Sequence, residues 1–467
     1  MRVFITFLCI GFSFYVSAYE PINSLPTGSR VSLLVKNPTE TALSINTKQL
    51  FPPASTLKII TALAAKLELG DDFRFETQLE QKNKDIVIRF SGDPTLKTQD
   101  LDNLFKQASN QGIKSIEGNI WLNDSIFTGY ERAVGWPWDI LGVCYSAPSS
   151  AITLDGNCVQ ASIYTNSDGS TRAHVPEHQP IIVTNDVITV TKEVQKERQC
   201  QLELLTSDNN NYHLSGCLIS QKKPLPLKFA VQDTQEYTSS IIKNLLAKHR
   251  ISFSGNIASR NDIQGTPIAT HLSAPLNDLV ESMLKSSNNL IADNITKTLG
   301  ARFYSQPGSF NNGTEAIKQI IFSNSRINLS ASQFADGSGL SRNNRMTAED
   351  MNKILEYIWK NESTLGVIKI LPKSGETGTL KYRRSMRQVP IKGQLQAKSG
   401  SVYGSYNMAG YVLNGNGQPK STFVQFISDY FPKKEESESN SLSPLFKFEK
   451  AFYQDLIKLS PKNSSLQ

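Results

Sequence analysis

Alanine, leucine and isoleucine recur at helical spacing along the segment that follows Pro53, and Gly70 closes that segment. This pattern predicts a helix that begins at or near Ser55. Lys58 follows one turn later and lies on the same face as Ser55. The backbone amide dipoles of such a helix point toward the Ser55 hydroxyl.

After this helix the pattern changes to short runs rich in β-branched residues. These runs predict strands at residues 86–91, 118–123, 181–191 and 225–231. Residues 100–111 have a more helical pattern. The segment between Ser55 and residue 274 therefore has a mostly β character.

The C-terminal part of the chain returns to helical periodicity. Two predicted helices cover residues 276–284 and 290–299, with a loop at Ser287 between them and Gly300 after the second. Beyond Lys398 the pattern predicts two antiparallel strands joined by a turn at residues 414–417. A polar loop at 433–441 and an amphipathic closing helix at 445–459 complete the chain.

Three short motifs along this pattern carry groups suited to nucleophilic catalysis. Ser55 and Lys58 form Ser-x-x-Lys, in which the amine deprotonates the hydroxyl if burial and nearby cations favour its neutral form. Ser287 and Asn289 form Ser-x-Asn between two predicted helices. Lys398-Ser399-Gly400 lies on a predicted strand.

Copies of these motifs occur elsewhere, so order and context decide between them. Ser-x-x-Lys also begins at Ser220, Ser240 and Ser282, and Lys373-Ser374-Gly375 repeats the third motif. The Lys373 copy lies in a turn-rich stretch, whereas Lys398 precedes the predicted pair of strands. The context therefore favours Lys398.

The ordered set of three motifs resembles the penicillin-binding protein and serine β-lactamase superfamily. The segments 144–158, 335–342 and 371–380 are more narrowly similar to the D-alanyl-D-alanine carboxypeptidases of the penicillin-binding protein 4 type, the low-molecular-mass class C penicillin-binding proteins. The resemblance implies an α+β fold. Its catalytic part is a serine β-lactamase/transpeptidase-like domain, an antiparallel sheet flanked by helices, with β-rich domains inserted between the first and second motifs.

The wide separation of Ser55 from Ser287 agrees with such an insertion. We expect the transpeptidase-like domain at residues 19–82 and 265–467. The inserted β-rich region is expected at residues 83–264, as two nested domains with the inner one at about 106–177.

The resemblance also assigns roles to individual residues. Ser55 is the nucleophile, Lys58 its base and Ser287 a proton relay, while Asn289 binds the substrate amide. The backbone N–H groups of Ser55 and Ser401 form the oxyanion hole. The cationic field of Lys398 and the Ser399-Gly400-Ser401 segment hold the substrate carboxylate.

Asp155 and Arg342 are candidate readers of the substrate side chain. The meso-diaminopimelate side chain of a Gram-negative wall ends in an ammonium and a carboxylate, which an Asp and an Arg complement. Asp155 lies between Cys144 and Cys158, and Arg342 ends the 335–342 segment. A turn role for Asp155 with Gly156, and a structural ion pair for Arg342, are equally open.

Residues 1–18 have the pattern of a cleaved signal peptide: a charged start, a short apolar core, then small residues. We therefore expect export to the periplasm. No later segment is apolar enough to span a membrane. The remaining Cys144, Cys158, Cys200 and Cys217 suggest disulfides. Of the three possible connectivities, the short separations favour 144–158 and 200–217, the second bracketing a predicted hairpin.

Other functional classes find little support in the sequence. The formal charge of +7 is scattered rather than gathered into a stripe, so nucleic acid is not indicated as a partner. The five histidines form no His-Glu-x-x-His pattern, and a Gly-x-Ser-x-Gly elbow is missing, so no metal or cofactor is expected. The resemblance implies peptidoglycan stem peptides as substrates and β-lactams as inhibitors. A β-lactamase and a non-catalytic penicillin- or wall-binding protein remain the alternatives.

Overall fold

The computed structural model describes residues 19–432 and 442–461. The expected signal peptide and residues 433–441 of the expected polar loop lie outside the described residues. None of the helices in the described ranges is both long and apolar enough to cross a membrane.

Along the described residues, a region rich in strand lies between two regions that contain most of the helices. The strands are β1 Arg30–Lys36, β2 Thr41–Ile45, β3 Glu76–Lys82, β4 Asp85–Arg89, β5 Ser115–Ile116, β6 Ile120–Asn123, β7 Cys158–Thr165, β8 Thr171–His174, β9 Ile182–Asn185, β10 Ile188–Val190, β11 Leu202–Thr206, β12 Asn211–Ile219, β13 Leu225–Ala230, β14 Ser252–Phe253, β15 Ile257–Ser259, β16 Thr266–Leu272, β17 Leu395–Val402, β18 Ser405–Leu413 and β19 Pro419–Ser428. The helices are α1 Lys58–Glu68, α2 Thr98–Asn110, α3 Lys192–Arg198, α4 Thr234–Lys248, α5 Leu276–Ser286, α6 Asn289–Tyr304, α7 Phe310–Ser325, α8 Ala348–Lys360, α9 Glu362–Leu365, α10 Val367–Ile370 and α11 Pro444–Leu459.

A five-stranded antiparallel sheet forms the centre of the first body, in the order β17-β18-β19-β1-β2. Both faces of this sheet are covered, and β1 is buried from Val31 to Val35. Leu34 packs into a core shared with α1, α5, α6, α7 and α8, whereas Leu33 and Val35 point to the opposite face and pack with α11. The sheet therefore holds β17, and with it Lys398, against the helix that follows Ser55.

The inserted region has its own sheets and its own core. A mixed five-stranded sheet in the order β15-β6-β4-β3-β16 begins at Glu76 and ends at Leu272, so it is wider than the expected 83–264. Two smaller sheets, β13-β7-β8 and β10-β12-β11 with β9 beside β12, lie between Cys158 and Ala230. These smaller sheets lie further along the chain than the expected inner unit at 106–177. Strands from both flanks of the expected bounds, β3 and β16, pair with each other in the inserted sheet.

Both expected disulfides are confirmed. Cys144 and Cys158 are bridged with a Cα–Cα separation of 5.3 Å, and Cys200 and Cys217 with 5.7 Å. The second bridge closes the antiparallel pair β11–β12, which is the hairpin predicted from its polar turn. The first bridge ties the segment at Cys144, beside the catalytic cleft described below, to the start of β7.

Candidate active site

Ser55 lies in a 3₁₀ turn, Ala54–Leu57, that runs directly into α1. Ala54 adopts a left-handed backbone with φ of 48°, which costs about 1 kcal/mol for a residue with a Cβ. Two glycines allow other segments to press against this turn. A Cβ at Gly339 would collide with the Ala54 carbonyl oxygen, and one at Gly400 would lie 2.8 Å from the Ser55 nitrogen. The strained turn is therefore held from two sides.

Lys58 is fully buried and points at the Ser55 hydroxyl. Its Nζ lies 2.9 Å from Ser55 Oγ, and it donates to Asn289 Oδ1 and to the Ser338 carbonyl oxygen at 2.6 Å each. Burial lowers the pKa of Lys58 to about 8, with the Asp293 and Asp336 carboxylates opposing that shift. The lysine is therefore able to become neutral near physiological pH, as a base must.

The second motif lies where two helices meet. Ser287 has a left-handed backbone with φ of 59° and ends α5, and Asn288 caps α6 by accepting from the Ile291 N–H at 3.0 Å. Asn289 is the first residue of α6, and this sharp junction directs its side chain toward Lys58. Asn289 accepts from Lys58 and donates through Nδ2 to the Tyr145 carbonyl at 2.7 Å.

The third motif brings a second buried lysine to the site. Lys398 Nζ donates to Ser287 Oγ and to the carbonyl oxygen of the next residue, Ser399, both at 2.8 Å. Burial and the nearby Lys58 amine hold the pKa of Lys398 well below its usual range. Lys398 and Lys58 therefore each contact one hydroxyl, Ser287 and Ser55 respectively.

These groups open into a cleft of about 510 Å³. Five of the ten residues predicted for the site line it: Ser55, Ser287, Asn289, Ser401 and Arg342. Its other lining residues are Pro137, Asp139, Ile140, Tyr145, Leu340, Val402 and Tyr403. The Arg342 guanidinium lies 5.0 Å from the Tyr403 ring centroid, a cation–π distance.

The structure does not bring Asp155 to this cleft. Its two carboxylate oxygens accept from the Thr98 backbone N–H at 2.9 Å and from the Thr98 hydroxyl at 2.6 Å. Asp155 thus anchors the start of α2 inside the inserted region, and the expected pairing with Arg342 around a ligand is corrected. The acidic side chain that lines the cleft with Arg342 is Asp139, which the motif search missed.

The other copies of the motifs have structural contacts. Ser374 Oγ is buried, donates to the Ile391 carbonyl at 2.7 Å and accepts from the Leu395 N–H at 3.0 Å. Lys373 forms an ion pair with Glu376 at 3.2 Å. The Lys373-Ser374-Gly375 copy therefore stabilises a turn, in agreement with the choice of Lys398.

Comparison with known proteins agrees with this geometry. The sequence model of the D-Ala-D-Ala carboxypeptidase 3 (S13) family matches residues 26–451. The chain belongs to the S13 family of D-Ala-D-Ala carboxypeptidases. This membership confirms the resemblance drawn from the motifs and makes the chain a carboxypeptidase, a hydrolase.

A relative from Haemophilus influenzae, matched both by sequence and by solved structure, covers nearly the whole length of this S13 carboxypeptidase. The D-alanyl-D-alanine carboxypeptidase DacB of Haemophilus influenzae is 37% identical over 96% of either chain. The crystal structure of penicillin binding protein 4 from Haemophilus influenzae superimposes with a TM-score of 0.86 at 37% identity, covering 93% of this chain and 98% of the other. A structure of that protein complexed with a novel β-lactam gives a TM-score of 0.82 at 36% identity, with the same coverage. The predicted α+β transpeptidase-like fold is confirmed.

Proposed function

We propose that this carboxypeptidase removes the terminal D-alanine of peptidoglycan stem peptides through an acyl-enzyme at Ser55. The observation that carries the proposal is the environment of the Lys58 amine. A neutral amine has two N–H groups and one lone pair, and two of the three neighbours of Lys58, Asn289 Oδ1 and the Ser338 carbonyl, only accept. The lone pair is then left for the proton of Ser55, 2.9 Å away.

The reaction follows from this arrangement in two halves. Ser55 Oγ attacks the carbonyl carbon of the penultimate D-alanine while its proton passes to Lys58. The backbone N–H groups of Ser55 and Ser401 stabilise the oxyanion. The C–N bond then breaks, and the departing amine takes a proton through Ser287, which Lys398 contacts at 2.8 Å. Water hydrolyses the ester and restores the Ser55 hydroxyl.

The substrate carboxylate lies against the third motif. The substrate carboxylate favours the charged form of Lys398 against the burial that lowers its pKa, and the Ser399 and Ser401 hydroxyls donate to the carboxylate oxygens. The Ser399 hydroxyl lies 3.1 Å from Thr379 Oγ1, which orients it. A β-lactam presents a similar carboxylate and a strained amide, so it acylates Ser55. Its leaving group stays tethered, and the acyl-enzyme persists.

Acylation is expected to rise with pH through a midpoint near 8. Only the neutral form of Lys58 accepts the Ser55 proton, and the pKa of Lys58 is lowered to about 8. The rate of acylation by benzylpenicillin, followed by stopped flow between about pH 6 and pH 10, measures this rise with pH. A rate that is flat across the whole range contradicts Lys58 as the base.

We also propose that Asp139 and Arg342 read the diaminopimelate side chain. Both side chains are exposed and line the cleft that contains Ser55. Both charges act on Tyr145, which lines the same cleft: burial and the Asp139 carboxylate raise the pKa of Tyr145, and the Arg342 guanidinium lowers it. An acid and a base in one cleft suit a side chain that ends in an ammonium and a carboxylate.

Asp139→Asn is expected to lower kcat/KM on diaminopimelate-bearing pentapeptide about tenfold, because one charged hydrogen bond is lost. Acylation by benzylpenicillin, which lacks that side chain, is expected to stay within about twofold. The matched control is Asp155→Asn, which removes a carboxylate outside the cleft and is expected to show no such selectivity. Equal losses on both substrates in the Asp139 variant contradict the assignment.

Cross-linked stem peptides present the same acyl donor as the pentapeptide, so endopeptidase cleavage is part of the proposal. Incubating the purified protein with monomeric and cross-linked muropeptides, with release of D-alanine and of monomers followed separately, tests it. Cleavage of either substrate supports the proposed function. Rapid turnover of benzylpenicillin with neither muropeptide cleaved would instead identify a β-lactamase, and covalent binding without turnover a non-catalytic protein.

The proposed place of action is the periplasm, reached through the signal peptide expected at residues 1–18. Two observations support this proposal. The two disulfides require an oxidising compartment to form and persist. Peptidoglycan itself lies outside the cytoplasmic membrane, so an enzyme that acts on its stem peptides is exported.

A further inference from the structure

The direction of the Lys58 lone pair depends on a carbonyl that belongs to a neighbouring turn. Of the two acceptors that fix the amine, Asn289 is a motif residue, but the Ser338 carbonyl is part of the 336–339 turn. If the Ser338 peptide rotates, its oxygen leaves Nζ and the lone pair loses its alignment with Ser55. What holds this peptide therefore matters for the first chemical step.

The backbone at Ser338 is held on both sides of its α-carbon. The peptide that contains the Ser338 carbonyl donates through the Gly339 N–H to Asp336, and the two preceding N–H groups donate to Asp293. One carboxylate oxygen of Asp293 accepts from the Gly337 N–H at 3.0 Å and from the Ser338 N–H at 2.9 Å. Asp293 follows Asn289 by four positions on α6, so both side chains project from one face of the helix. Helix α6 thus supports the Lys58 amine twice, directly through Asn289 and indirectly through Asp293.

The side-chain hydrogen bonds of Asp293 go to this turn and to no other part of the described chain. Asp293 is fully buried, and its second oxygen makes no hydrogen bond among the described residues. A carboxyl group buried with one oxygen unbonded costs stability, so the role of Asp293 lies in the two N–H groups that its other oxygen holds. The buried charges around it are those of Lys58, Asp336 and Lys297, and burial together with Asp336 raises the pKa of Asp293 itself.

The turn has further hydrogen bonds besides those of Asp293. Thr61, one turn beyond Lys58 on α1, donates to the Gly337 carbonyl at 2.7 Å. Asp336 accepts from the Gly339 N–H at 2.8 Å and from the Trp136 indole at 2.8 Å. The contacts of Asp293 are therefore confined to the two N–H groups next to the carbonyl that faces Lys58.

We propose that Asp293 is a positioning residue for the base, holding the backbone N–H groups of Gly337 and Ser338 so that the Ser338 carbonyl fixes the Lys58 amine toward Ser55. This inference rests on the proposed function and adds to it a residue outside all three motifs. Asp293 touches neither the substrate nor the reacting atoms. Its effect is therefore expected on the acylation step and not on the preceding non-covalent binding.

Stopped-flow acylation by benzylpenicillin separates these two steps and tests the proposal. Asp293→Ala is expected to lower the first-order acylation rate about 100-fold, because the base loses its alignment, with the binding constant unchanged within about twofold. Asp293→Asn keeps an oxygen that accepts from both N–H groups and is expected to stay within about fivefold of the unmodified rate. If Asp293→Ala does not fold, Asp293→Ser takes its place, since its hydroxyl is too short to reach both groups.

Asp350→Ala is the matched control, because Asp350 is a buried carboxylate in the same body whose ion pair is with Lys353 on its own helix α8. It is expected to lower the melting temperature and leave the acylation rate unchanged. Three results overturn the proposal: an unmodified rate in Asp293→Ala, a loss that falls on the binding constant, or an equal loss in Asp293→Asn. Failure of the unmodified protein to acylate overturns the proposed function and this inference with it.

Discussion

Replacing Ser55 by Ala is expected to reduce release of D-alanine by at least about 10⁴-fold, because Ser55 carries the one hydroxyl of the described residues that is hydrogen-bonded to the Lys58 amine. The variant keeps the fold, since the Ser55 side chain is at the cleft wall and Ala fits the same turn. The measurement is D-alanine release from an acyl-D-Ala-D-Ala peptide, with the melting temperature as a check of folding.

Ser282→Ala is the control for this experiment. Ser282 begins another Ser-x-x-Lys sequence but is exposed on α5, and Lys285 there pairs with Glu281. Full activity is expected in that variant. Turnover that persists in Ser55→Ala, at a rate near that of the unmodified protein, contradicts the mechanism.

Lys58→Arg is expected to be almost as damaging as Lys58→Ala, with losses of about 10²–10⁴-fold in the acylation rate. Arginine keeps the charge but does not lose its proton, so it replaces an electrostatic lysine and not a base. The stopped-flow rate of acylation by benzylpenicillin measures the effect for both variants.

Lys66→Arg is the matched control, because Lys66 is a buried lysine on the same helix that pairs with Asp71 at 2.6 Å. It is expected to acylate at close to the unmodified rate. A Lys58→Arg protein that does the same shows that Lys58 acts only through its charge.

Helices and strands whose apolar residues recur on one face could be predicted from the sequence alone. Helices α5 and α6 and strands β17–β19 occur where their patterns predict them, and the loop between the helices contains Ser287 as expected. These elements carry the second and third motifs. The short separations within the two cysteine pairs were likewise sufficient to predict the disulfides.

Contacts between distant segments explain the errors. Gly300 was predicted to end the second helix, but α6 continues to Tyr304 because Gly300 allows α7 to pack closely, and a Cβ there would lie 2.7 Å from the Gly313 nitrogen. The 181–191 run forms two short strands, β9 and β10, which both pair with the later strand β12. Neither the extension of α6 nor the division of the 181–191 run is indicated by the residues of that segment alone.

Contacts between distant segments also explain why the sequence did not reveal some residues of the site. Asp139 and Asp155 are both acidic residues in the inserted region, and only the folded chain distinguishes the one that lines the cleft from the one bonded to Thr98. Asp293 lies inside a predicted helix, and its contact with the 336–339 turn spans more than forty positions. A motif identifies the reacting groups, but the residues that hold them come from packing.

The most direct test of the central claim is to locate the acyl group. Purified protein is treated with benzylpenicillin, quenched, digested and analysed by mass spectrometry. One adduct of the penicilloyl mass is expected, on the peptide that contains Ser55, and prior incubation with an acyl-D-Ala-D-Ala substrate is expected to reduce its formation. An adduct on Ser287 or Ser401 instead, or no covalent adduct while D-alanine is still released, would contradict an acyl-enzyme at Ser55.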